Sequence, residues 1–85
     1  MKTSEVNESL IGRRVKTYYN GTRYGVIVGI VEDKYCKGVR IKLDKPVFWA
    51  SGYGVQHTEW WEHEYDSTAR KFDDFGNLRY VELVN

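Results

Sequence analysis

Asn20-Gly21 stands between two strand-like runs, residues 13–19 and 22–31, and no other feature constrains the chain as much. Both residues tolerate the positive φ of a tight hairpin turn, so the flanking runs are expected to be antiparallel strands. In the first run Val15, Thr17 and Tyr19 share one side, and Lys16 and Tyr18 the other. In the second, Gly25 and Gly29 fall on the parity of Ile27 and Val31. Two glycines in one strand predict a bend, a bulge or a close backbone approach.

The remaining segments extend this pattern. Residues 3–11 read as a tail or a single helical turn, with Ser4 as cap and Gly12 as stop. Residues 32–38 read as a turn. Residues 39–43 form the cleanest strand, with Val39, Ile41 and Leu43 inward and Arg40, Lys42 and Asp44 outward. Pro46 ends that strand or places it at an edge, with a short continuation over 47–49. Ser51, Gly52 and Gly54 mark a loop, and residues 58–65 fit either a strand or a short helix. Asp73, Asp74, Gly76 and Asn77 form a turn cluster. Residues 78–84 close the chain as a strand, with Val81 and Leu83 inward.

Eighty-five residues with no linker or repeat make one domain. Its expected parts are a tail or helical turn over 1–11, barrel hairpins over 12–49, an elaborated loop region over 50–77 and a closing strand over 78–84. The fold class is all-β: a small, strongly bent antiparallel barrel of five to six short strands, with a long aromatic-rich loop or hairpin in the second half.

Ile11-Gly12-Arg13-Arg14-Val15, the Asn20-Gly21 hairpin, Gly25-Val26-Ile27-Val28-Gly29 and Val39-Arg40-Ile41-Lys42-Leu43-Asp44 together resemble an SH3-like barrel of the KOW and Tudor sort. The resemblance covers about residues 11–49; past Trp49 the chain is longer and more aromatic than such barrels. It implies a non-enzymatic module that binds nucleic acid, peptides or methylated side chains, and a fold does not choose among these.

The residues themselves narrow the choice. Aromatics make up 15% of the chain, and six of them (Phe48, Trp49, Tyr53, Trp60, Trp61, Tyr65) fall within eighteen residues. Trp60 and Trp61 are adjacent, so in an extended segment they point to opposite faces and one of them is exposed. Exposed Trp and Tyr serve as interface anchors because they bury large area at little rotamer cost. The first expectation is therefore a non-catalytic protein-binding module using an aromatic and acidic surface: Trp49, Tyr53, Trp60, Trp61, Glu62 and Tyr65.

Charge supplies the alternative. The chain has a net charge of +1, but residues 1–45 carry +5 and residues 46–85 carry −4. Either the two halves neutralise each other across the sheet, or the molecule has a basic and an acidic face. In the second case Arg13, Arg14, Lys16, Arg23, Arg40 and Lys42 form a basic stripe on the first three strands. Interleaved with Tyr18, Tyr24 or Tyr35, that stripe suits single-stranded nucleic acid. Self-association through an open strand edge is a third possibility.

Other chemistry finds little support. Cys36 is the only cysteine, which excludes an internal disulfide and a multi-thiolate zinc site. His57 and His63 lie near Glu59, Glu62 and Glu64 but without the spacing of a helical metal motif, so no metal and no cofactor is expected. No nucleophile is accompanied by a base, and the chain is not expected to be an enzyme. No run approaches the ~18 apolar residues that span a bilayer, and residues 1–5 lack an apolar leader. No membrane association and a reducing, cytoplasmic setting are expected.

Overall fold

A computed structural model describes residues 1–54, 56–71 and 77–84, excluding the side chain of Tyr53. The chain is all-β, with five antiparallel strands in one sheet: β1 (Arg14–Tyr18), β2 (Thr22–Glu32), β3 (Cys36–Tyr53), β4 (Gln56–Arg70) and β5 (Val81–Leu83). The strand order is β4-β3-β2-β1-β5, so β1 to β4 form a meander and β5 returns to the outside of β1.

The first hairpin forms where expected, with Asn20 at φ 54° and Gly21 at φ 111°. Val15 and Thr17 point inward and are buried, as are Val39, Ile41 and Leu43 on β3. The expected irregularity in β2 is a bulge at Val28: Ile27 opposes Ile41, but Gly29 opposes Arg40. One extra residue reverses the parity beyond it. Ile30, opposite Val39, therefore packs on the core, and the alternation that placed Val31 with Ile27 does not hold. Gly25 meets the expectation of close approach, because a Cβ there would strike the Lys42 carbonyl and Ile41.

Residues 1–11 are a structured plug rather than a frayed tail. Two 3-10 turns, Thr3–Glu5 and Glu8–Leu10, bury Val6 and Leu10 in the core. The cap of the second is Asn7, whose Oδ1 accepts the Ser9 amide at 2.8 Å. The Leu78 amide donates to the Met1 carbonyl, and buried Leu78 joins the same core. The sheet curls so far that the Thr17 hydroxyl of β1 hydrogen-bonds the Tyr65 hydroxyl of β4, although β2 and β3 lie between them in the sheet.

The second half departs most from expectation. The turn before β3 spans only residues 33–35, where the Asp33 carboxylate accepts the amides of Tyr35 and Cys36 at 2.7 Å each. These bonds hold the Asp33 carboxyl below the usual range. Strands β3 and β4 are long rather than short, and of the loop or hairpin expected in the second half the structure has the hairpin, so the region from residue 50 is mostly strand. Residues 58–65 are strand, not helix. Pro46 does not end β3; it sits where Leu43 to Pro46 oppose the single residue His63. Proline has no amide to give the ladder, which fits this wide irregularity. The turn cluster at 73–76 lies outside the described residues, and Asn77 bridges to Lys2. The closing strand is short; Val81 is buried as expected, but Leu83, on edge strand β5, is 37% exposed.

Candidate functional site: an aromatic ribbon

Beyond Leu43, which opposes Gly25, β3 leaves β2 behind. Residues 47–53 continue paired only with residues 56–62 of β4, and Gly54 at φ +67° enters the turn at the tip. The result is a two-stranded ribbon of seven residue pairs, about 23 Å long at the rise of a β-strand. It explains the elongated dimensions of 46 × 29 × 18 Å and a radius of gyration of 14.4 Å, against ~12 Å for a compact chain of this length.

Residues opposite each other across antiparallel strands share a face, so the register sorts the aromatics. Val47 with Glu62 and Trp49 with Trp60 form the inner face; Phe48 with Trp61 and Ala50 with Glu59 form the outer face. The inner face leans over the first hairpin. Tyr19 stacks on Tyr65 with ring centroids 4.3 Å apart and meets Trp49 edge-on at 5.5 Å. Trp49 in turn lies 6.5 Å from Trp60. The Tyr19 hydroxyl donates to Glu62 Oε2 at 2.5 Å, and the Trp60 indole N–H donates to Glu62 Oε1 at 3.1 Å.

These bonds set the local proton affinities. The hydrogen bond to Glu62, then burial, pushes the Tyr19 hydroxyl up to about 12, with the nearby Trp49 indole working weakly against it. The same Tyr19 bond, followed by that of Trp60, holds the Glu62 carboxyl below its usual range. Burial raises the Tyr65 hydroxyl as well. The Trp49 Nε1 is buried and has no acceptor in hydrogen-bonding geometry.

The six residues expected on one binding surface are therefore divided. Trp49, Trp60, Glu62 and Tyr65 belong to the inner cluster, and Glu62 is engaged by the protein's own donors. Trp61 stands on the outer face, 59% exposed, with its ring centroid 5.0 Å from that of Phe48, itself 42% exposed. Tyr53 lies at the ribbon tip, opposite Gln56. Sequence reasoning missed Tyr19 as the centre of the inner cluster and Phe48 as the partner of Trp61. The second follows from the register, and the first from the curl that brings the end of the first hairpin against β4.

The basic stripe is dispersed and largely neutralised. Arg14 makes a two-pronged pair with Asp44 (3.2 and 2.5 Å), and Arg40 does the same with Asp66 (2.8 and 3.2 Å). Lys42 opposes Glu64, and Lys16 opposes Glu82. Arg23 spends its guanidinium on the carbonyls of Tyr19 and Asn20 at the turn. Arg13 is exposed just before β1. Asp44 of the first half and Asp66, Glu64 and Glu82 of the second thus offset much of the basic charge of the first.

His57 Nε2 lies 3.7 Å from Glu59 Oε1 on the exposed ribbon, and among the described residues no three His, Cys, Asp or Glu side chains converge as metal ligands. Cys36 is half-buried at the start of β3. No described helix is long and apolar enough to cross a membrane.

Fold and site together define a small all-β domain with a projecting aromatic ribbon. The chain belongs to the DUF7258 family, described as a domain of unknown function, whose model matches residues 1–83. No curated protein and no solved structure matches it.

Proposed function

We propose that the protein is a non-catalytic binding module that docks a protein partner through the outer face of the ribbon. One observation carries this reading: Phe48 and Trp61 form an adjacent pair of large aromatic rings on a projecting element, and both remain substantially exposed. A cross-strand aromatic pair also stabilises the ribbon, so part of its role is structural. That role does not require the rings to face water, and a tryptophan that seats in a partner pocket gains from being there. Glu59 lies two residues from Trp61 on the same face and supplies a carboxylate at the rim. Glu62, expected in that role from the sequence, is held by Tyr19 and Trp60.

The test places a photo-crosslinking residue at Ala50, opposite Glu59, in extract of the native host. Trp61→Thr, which keeps strand propensity, serves as the comparison. A discrete protein adduct that Trp61→Thr removes, with the fold retained by circular dichroism, supports the reading. No adduct, or adducts indifferent to Trp61→Thr, overturns it.

A further inference from the structure

A second surface, on the opposite flank of the sheet, is independent of the ribbon. Three tyrosines stand exposed there: Tyr18 (56%), Tyr24 (46%) and Tyr80 (65%). The Tyr18 and Tyr80 rings lie 5.4 Å apart at 46°. Tyr80 is held at φ 62°, a left-handed conformation that a bulky side chain rarely adopts. Such strain persists only where the surroundings impose it, and it concentrates at functional sites.

Two hollows flank these rings. One of about 190 Å³ is lined by Lys16, Thr17, Tyr18, Thr22, Tyr80 and Glu82. The other, of about 260 Å³, is lined by Thr22, Arg23, Tyr24, Asp44 and Lys45. They share Thr22, so the two form one continuous strip. The register explains the alignment: Tyr18 opposes Thr22 and Lys16 opposes Tyr24, which sets Tyr18 and Tyr24 on a diagonal of one face. Of the charges along the strip, Asp44 is taken by Arg14 and Glu82 faces Lys16. Arg23 shares the face of buried Thr17 and is held by the Tyr19 and Asn20 carbonyls, which leaves Lys45 and Lys16, neither in a salt bridge among the described residues, as the cations of the strip.

From this juxtaposition we infer that the Tyr18–Tyr24–Tyr80 strip binds single-stranded nucleic acid, with the rings stacking on bases and Lys16 and Lys45 meeting phosphates. Exposed rings stack on any base, and cations alongside them track the backbone. The spacing selects single strands. Rows two residues apart along a strand are separated by about 7 Å, whereas duplex bases stack at ~3.4 Å. Only splayed bases reach successive rings. Of the stripe expected on the sequence only Lys16 takes part, joined by Lys45, because Arg14 and Arg40 are spent on Asp44 and Asp66 and Arg23 on the turn carbonyls.

The experiment is fluorescence polarisation of labelled oligothymidylate and oligouridylate with the full chain, at low and moderate salt. An unlabelled duplex serves as competitor. Binding of either single strand is expected, weakening with salt and resisting the duplex. Tyr80→Asn suits the left-handed backbone, so it removes the ring without straining the fold. It should weaken binding about tenfold, within the range that one stacked base contributes. Tyr24→Thr should act similarly, and Lys45→Gln should reduce the salt slope by about one. Phe48→Ser, on the ribbon, should leave this binding unchanged. A flat wild-type titration at low salt, a duplex that binds as tightly as the single strand, or a folded Tyr80→Asn with undiminished affinity would each overturn the inference.

Discussion

Tyr19 joins three parts of the molecule: it ends the first hairpin, stacks on β4 through Tyr65 and ties down the ribbon base through Glu62. Its linkage to pH follows from the direction of its shift. An ordinary tyrosine ionises near 10.0 and Tyr19 near 12, so between these values the unfolded chain has released a proton that the folded one retains. The stability from this bond is complete below pH 10 and declines as pH rises towards 12. For Glu62 the shift is downward, so its contribution is present above the usual carboxylate range and is lost as pH falls. Tyr19→Phe should reduce both the acid and the alkaline loss, measured as urea midpoints from pH 3 to 12. Equal pH dependence in the variant would show that the bond does not form. Tyr80 makes the opposite prediction. Because its backbone favours Asn or Gly, Tyr80→Asn should leave stability unchanged or raise it by about 1 kcal/mol, read from the same midpoints.

At the scale of elements, β3 is limited by two glycine contacts and one irregularity. A Cβ at Gly38 would overlap the Ser67 backbone of β4, as one at Gly25 would overlap β3. Gly38→Ala should therefore cost about 1–3 kcal/mol by chemical denaturation, the usual range for overpacking. Gly29, where a Cβ meets only open contact with Arg40, should tolerate alanine far better. Much of this architecture was legible beforehand: the Asn20-Gly21 hairpin, the inward set of residues 39–43 and an irregularity in β2. What could not be read was anything that depended on register. The bulge at Val28 moves Ile30 inward and shifts every later residue of β2, and the sequence shows only that some bend is present. Aromatics at 48, 49, 60 and 61 were visible as a cluster, but their sorting onto two faces requires knowing that residue 48 opposes 61. Gly52 and Gly54 signalled a loop, yet a ribbon needs a turn only at its tip. Arg23 falls on the face of buried Thr17, whereas Lys16, Arg40 and Lys42 were placed correctly on the outward side of their strands. Their neutralisation depended on partners from the other half, such as Asp66 beside Arg40.

Across the whole molecule, stability is uneven because burial is uneven. The core lies where β1, β2 and β3 meet the plug of Val6, Leu10 and Leu78, whereas among the described residues none of the core cluster lies behind the outer half of the ribbon. Two-stranded ribbons are marginal alone. Hydrogen exchange should therefore find backbone amides at 50–54 and 56–59 opening well before those at 39–43. Equal protection in the two segments would mean that the ribbon is covered in solution, by a second copy or otherwise.

The placement of β5 beside β1 bears on how the molecule assembles. The pairings of β1 with β2, β2 with β3 and β3 with β4 join segments close in the chain and can zip from their turns. Val15 opposite Leu83 instead joins residues more than sixty positions apart, and Lys2 opposite Asn77 is more distant still. Closing a loop of that length carries an entropic cost before any contact compensates it. This seam is therefore the step that sets the folding rate, and substitutions along it, such as Val81→Ala, should slow refolding rather than only hasten unfolding. Until it closes, β1 presents a bare edge and Val6 and Leu10 have no complete core to enter, so the interval before closure is when the chain is most exposed to aberrant pairing.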